Sequence, residues 1–232
     1  MRFLIIAAAA AAAIAAPALA VQPVTITSAG IYNPGTVDAT VGGTTKSEYA
    51  TDIVFTGKSV ASAAFDALGF CVDLPHDIYV NIGSQLKDNL AFHVAPLTGD
   101  GFGNALSSTQ VREITGLARL GFTIAKGTAT DAPAQLAAIQ QAIWTIEYPT
   151  YSFAATGPYA AAQAGYATAF VKQAPQLNGF ARFIASDNGV QGQITNIGGV
   201  PEPTSWALLL AGFGAVGTAA RRRRGGMTTV AA

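Results

Sequence analysis

An apolar run stands at each end of the chain beside arginine, and the two runs confine what can fold as a soluble domain to the segment between them. Arg2 is followed by the stretch Phe3 to Ala16, then Pro17 and the small-residue site Ala18-Leu19-Ala20. That order is expected of a secretory signal peptide over residues 1–20, cleaved before Val21. An uncleaved membrane anchor is the alternative, against which Pro17 and the A-x-A site count. At the other end Val200-Pro201-Glu202-Pro203 precedes an apolar segment at 206–220, and Arg221, Arg222, Arg223 and Arg224 follow. As a helix, that segment would cover roughly 22 Å, short of the ~30 Å hydrocarbon core. Snorkelling arginines and an interfacial Trp206 make up part of the gap. The segment is expected to be a weak stop-transfer helix, with its arginines cytoplasmic, Pro-Glu-Pro outside and 225–232 a short cytoplasmic end.

Charge confirms the division. The 232 residues carry 13 Lys+Arg and 13 Asp+Glu, and only 11% are charged, where a soluble domain averages roughly a quarter. Arg2 and the four terminal arginines belong to the ends. Setting them and Glu202 aside leaves eight basic against twelve acidic residues, so the interior is acidic by four charges. With half the residues apolar and a mean hydropathy of +0.36, the chain is neither disordered nor a basic nucleic-acid binder. Its one cysteine, Cys71, excludes an internal disulfide framework and a cysteine-built zinc cage.

The interior, 21–198, opens with strand patterns. Val24-Thr25-Ile26-Thr27 alternates, Thr51 to Phe55 runs into a Thr-Gly turn, and Gly30, Pro34-Gly35 and Gly42-Gly43 punctuate short strands. Phe70 to Leu74 and Asp77 to Ile82 are expected to be two more. Helices follow. Ser107 and Gln110 have capping-box spacing, with Gly121 expected as the stop. A second helix starts at Asp131 and runs to Pro149, and a third from near Pro158 to Ala174. Phe180 to Ala185 and Gln191 to Ile197 return to strand. Strands, then about three helices, then strands predict an α+β domain with the helices inserted into a short-stranded β unit.

Within the second helix, Leu136, Ile139, Ile143 and Ile146 share one face at 100° per residue. Gln140 falls at the edge of that stripe, and Gln141 is expected to point into solvent. Glu147, two turns on, is either a proton acceptor near Gln140 or an exposed partner of a lysine. Cys71, between Phe70 and Val72, is either a buried inert thiol or a reactive one. His76, five residues beyond it across Pro75, would pair with it in a thiol hydrolase but reads better as a solvated loop residue. His93 reads as an ordinary strand residue. Asp73, Asp77 and Asp88 lack calcium-loop spacing, so no metal site and no cofactor are expected.

Two resemblances add to these readings. The order Val200-Pro201-Glu202-Pro203, apolar helix, Arg221 to Arg224 resembles the PEP-CTERM sorting tail of exported proteins in Gram-negative bacteria that make extracellular polysaccharide. The resemblance implies handling by the export machinery and then by an exosortase, with transient residence in the inner membrane before the cell surface. Phe70-Cys71-Val72 together with Ile139-Gln140-Gln141-Ala142-Ile143-Trp144 resembles the thioester domains of bacterial surface adhesins, with Ile139 where those domains usually have Thr. It implies a Cys71–Gln140 thioester open to amines of another protein, with Trp144 shielding the bond. The expected function is therefore non-enzymatic: surface adhesion or, as the alternative, a passive structural component of the extracellular polysaccharide layer.

Overall fold

Strand β1, Gln22–Ile31, buries Val24 and Ile26 and exposes Thr25, as its alternation requires. The computed structural model describes residues 22–59, 64–78, 80–83, 86–98, 105–179, 181–187, 189–197 and 212–213. The expected signal peptide and the tail residues Val200, Pro201, Glu202, Pro203, Trp206 and Arg221 to Arg224 lie outside the described residues. No helix among the described residues is long and apolar enough to cross a membrane. The unit ending at Asn196 holds every strand and helix discussed below, and Ile197 opens a second unit.

After β1 the chain forms the hairpin β2 (Gly35–Val41) and β3 (Thr44–Ala50), joined by Gly42-Gly43 with φ of 56° and 82°. Both φ values are positive, a tight-turn geometry glycine adopts freely. β4 (Ile53–Ser59), β5 (Ala64–Cys71), the two-residue β6 (Asn81–Ile82) and β7 (Leu86–Ala95) follow. Helices α1 (Ser108–Ala125) and α2 (Ala132–Glu147), strand β8 (Ser152–Thr156), helix α3 (Ala160–Gln173), and strands β9 (Arg182–Ser186) and β10 (Gln193–Thr195) complete the unit.

The strands make two sheets. β1 pairs antiparallel with both β4 and β7, while β4–β5, β5–β10, β10–β9 and β9–β7 complete a closed, barrel-like ring. β6 adds a short parallel pairing to β1, and β3-β2-β8 is a separate antiparallel sheet. The pleat sorts the ring's side chains. Phe70, Phe183 and Ile194 point outward into one core with Ile114, Leu117, Phe122, Ile139 and Ile143 of the helices. Registers Phe55↔Ala67, Cys71↔Gln193 and Gln193↔Ile184 place those five residues on the other, inward pleat, with Phe55, Gln193 and Ile184 fully buried.

The α+β expectation and the inserted helices agree with this architecture, and several local expectations do not. Gly57 is no turn; β4 continues through it, because it sits opposite the bulge in β1 where a Cβ would strike Thr25 O. Gly121 does not stop α1, which runs four residues further. It is a contact point where any Cβ would meet the Phe70 ring. The strand expected at Phe70 to Leu74 ends at Cys71, and that at Asp77 to Ile82 shrinks to β6. His93 is a strand residue as expected, in β7, whose extent the sequence did not otherwise signal; β8 carries no clear signal.

Candidate functional site around Cys71

Cys71 is the last residue of β5, where the chain leaves the ring, and the next three residues are pinned from three sides. Val72 N–H donates to Gly192 O at 3.1 Å, Gln191 Nε2 to Asp73 O at 2.5 Å, and Leu74 N–H to Tyr148 Oη at 3.2 Å. Cys71 itself is held by Gln140. Its N–H donates to Gln140 Oε1 at 2.8 Å, and Gln140 Nε2 donates back to Cys71 O at 2.8 Å. The carboxamide thus pairs with the strand end as a neighbouring strand residue would. Both groups are buried, so the pair satisfies polar atoms that would otherwise cost about 1–3 kcal/mol each.

The sulfur faces a different glutamine. Gln193 lies directly across the β5–β10 ladder, on the same pleat, and its Nε2 is 3.4 Å from Cys71 Sγ. Gln193 is fully buried; its Nε2 also reaches Gln191 O at 3.4 Å, and its Oε1 has no hydrogen-bond partner among the described residues. Burial pushes the Cys71 thiol up to about 12; the Gln193 hydrogen bond works against this, and the charges of Asp73, Glu48 and Glu147 add to it. A thiol held this way stays protonated, which disfavours a free thiolate nucleophile.

A cavity of about 70 Å³ lies beside Cys71, lined by Cys71, Trp144, Gln191, Glu48, Tyr49 and Asp77 among others. Trp144 forms part of its wall from α2 and is 1% exposed. Lys46 Nζ bridges Glu48 Oε1 at 2.8 Å and Asp77 Oδ1 at 3.0 Å.

Cys71, Gln140 and Trp144, which the sequence singles out, therefore meet in one place. Two expectations on α2 are corrected. Gln141 is 6% exposed instead of solvated, with Nε2 to Phe153 O at 3.4 Å and Oε1 accepting from Gln163 Nε2 at 3.0 Å. Glu147 is 1% exposed, not a surface partner for lysine. Both errors have one cause: α2 packs against α1, α3 and the β3-β2-β8 sheet, so it has hardly any solvated face. His76 Nδ1 pairs with buried Asp73 at 2.8 Å, and His93 Nδ1 with Asp187 at 2.6 Å. Gln193 is the residue missed. Its only sequence signal is its place in a short strand, since cross-strand register is not written locally.

Residues 199–224 match the family model of the PEP-CTERM protein-sorting motif. The motif implies an exported protein sorted to the cell surface by an exosortase. Among solved structures, the chain has a distant likeness to the N-terminal thioester domain of fibronectin-binding protein SfbI from Streptococcus pyogenes. The TM-score is 0.36 at 12% identity, over 71% of this chain and 92% of that one. No curated protein matches the chain by sequence.

Proposed function

We propose that the folded domain of this exported protein is an adhesive module that forms an internal thioester between Cys71 Sγ and the side-chain carbonyl of Gln193. The observation that carries the reading is the Gln193 carboxamide set against the sulfur, on the same pleat of adjacent strands. Side chains directly opposite in an antiparallel pair have Cβ atoms about 4.5–5.5 Å apart, within reach of a Cys-Gln bond. The thiol adds to the amide carbon, the C–N bond breaks, and ammonia leaves with the thiol proton. Gln140 serves as a positioning residue that holds the Cys71 backbone.

The thioester then acylates an amine. A C–N bond forms at the Gln193 carbonyl, the C–S bond breaks, and the sulfur leaves as a thiol carrying the amine's proton. Leaving-group ability falls as thiol pKa rises, so a sulfur whose thiolate is disfavoured by burial gives a bond that persists until proton delivery and attack coincide. Trp144 limits water at the bond. The reaction consumes the site once, so the protein attaches without turnover.

Intact mass tests the bond: a deficit of one ammonia, abolished in Cys71→Ala, supports it, and a full-weight chain with alkylatable Cys71 sinks it. Peptide mapping after methylamine treatment tests the partner. A methylamide on Gln193 supports the assignment, whereas one on Gln140 transfers the bond to the helix. The second reading, a passive structural component of the extracellular polysaccharide layer, is favoured by the buried, protonated thiol and predicts neither modification.

A further inference from the structure

The cavity beside Cys71 is lined by two carboxylates that the thioester reading leaves without a role. Glu48 lies on β3, its side chain 18% exposed, and Asp77 lies on the loop after the pinned segment, its side chain 60% exposed. Between them sits an ammonium group, that of Lys46, whose side chain is 56% exposed. Trp144, also among the lining residues, is buried, and its Nε1 has no hydrogen-bond partner among the described residues. The site therefore presents two acceptors for a cation, already holding one. The ionic grip on Lys46 is reversible, because solvent-exposed ion pairs are weak.

We propose that Glu48 and Asp77 form an ammonium clasp at the mouth of the Cys71 cavity and that Lys46 is its resident occupant, which an incoming lysine side chain displaces. The clasp selects protonated amines and concentrates them beside the acyl group. Lys46 keeps it filled until a partner surface competes, so the domain does not react with every dilute amine it meets. Once seated, the ammonium transfers one proton to Glu48 and becomes the neutral amine. That amine attacks the acyl carbon, the C–S bond breaks, and the second proton goes to sulfur, leaving an amide, a thiol and a protonated Glu48. Lys46 acts on access alone, with no part in the bond changes.

This inference rests on the amide-forming reading, so its test begins with intact masses of wild type, Lys46→Met, Glu48→Gln and Asp77→Asn. Chains lacking the ammonia deficit refute that reading and the reactive role of the clasp. Where the deficit is present, aminolysis rates are compared for methylamine, cationic at neutral pH, and hydroxylamine, which is neutral. Lys46→Met is expected to raise the methylamine rate about two- to fivefold, the scale of an exposed ion pair, with hydroxylamine little changed. Glu48→Gln and Asp77→Asn are expected to lower the methylamine rate by a similar factor. An unchanged ratio of the two rates across all three variants overturns the clasp while leaving the thioester intact. Binding of a lysine amide probe to Cys71→Ala/Lys46→Met, followed by ligand NMR, isolates recognition from chemistry. Binding lost on adding Glu48→Gln and Asp77→Asn supports the clasp, and binding that survives them refutes it.

Discussion

Gln140 and Gln141 are neighbours on one helix, both buried, and they anchor α2 in opposite directions. Gln140 grips the end of β5 through two bonds of 2.8 Å to the Cys71 backbone. Gln141 faces the second sheet, where Gln163 Nε2 bonds its Oε1 at 3.0 Å and Thr36 O at 3.3 Å. Each junction is a buried amide tying a helix to a strand. Only the first has a thiol beside it, a second glutamine on the sulfur and an acid-lined cavity opening to it. The difference teaches that a buried glutamine is by itself a structural staple. Gln193 shares a pleat face with the Cys71 sulfur, whereas Gln140 reaches the Cys71 backbone.

The largest expected effect separates chemistry from stapling. Gln193→Ala is expected to abolish methylamine uptake completely, whereas Gln141→Ala leaves the extent of uptake unchanged; equal loss in both would break the contrast. Next comes stability, read from urea midpoints at constant m-value. Gln140→Ala strands the N–H and C=O of Cys71 and is expected to cost about 2–4 kcal/mol, with Gln141→Ala costing about 1–2 because its two bonds are longer. A reversed order would place the tighter junction at the second sheet.

Glycines sharpen the comparison further. Gly121 touches Phe70 behind Cys71, so Gly121→Ala is expected to destabilise by about 1–3 kcal/mol through overpacking. Gly165, on α3, has open space around it, and Gly165→Ala is expected to stabilise by about 0.5–1 kcal/mol through helix propensity. Thermal melts of the pair decide this, and like signs would contradict the packing. The smallest effect is electrostatic. Burial raises the Asp52 carboxyl above its ordinary value, with the Thr51 hydroxyl acting the other way. A raised folded value means that its favourable contribution is complete below the unfolded pKa and is lost as pH rises through the folded one. Asp52→Asn is therefore expected to raise the melting temperature near pH 7, with the gain shrinking as pH falls through the raised folded value and gone below the ordinary carboxylate value of about 4. A gain that grew on acidification would reverse the sign.

Much of the fold is legible in the sequence where the signal is local. The capping box predicted at Ser107 is present, with Ser107 N–H donating to Gln110 Oε1 at 3.0 Å and Gln110 N–H to Ser107 Oγ at 3.2 Å. Asp131 with Pro133 starts α2 where expected, and the alternation in β1 reports its buried face. Glycine was misread at Gly57 and Gly121 because a residue without a side chain serves a turn and a close contact equally well, and only the neighbour present distinguishes them. Gln141 and Glu147 were misplaced because a helical wheel assumes one solvated face, and α2 is enclosed by partners distant in sequence.

By itself the sequence determined what is encoded contiguously: the sorting tail with its Pro-Glu-Pro, apolar run and arginines, the capping box of α1, the acidic interior and the single thiol. Its resemblance to thioester domains also marked Cys71, Gln140 and Trp144 as residues that belong together. Tertiary structure alone decided what each does there. Closure of the ring brings β10 beside β5, and the pleat then turns Gln193 to the sulfur while the helix delivers Gln140 to the backbone. The physical reason is that register between strands more than a hundred residues apart depends on packing over the whole ring, which no local pattern contains.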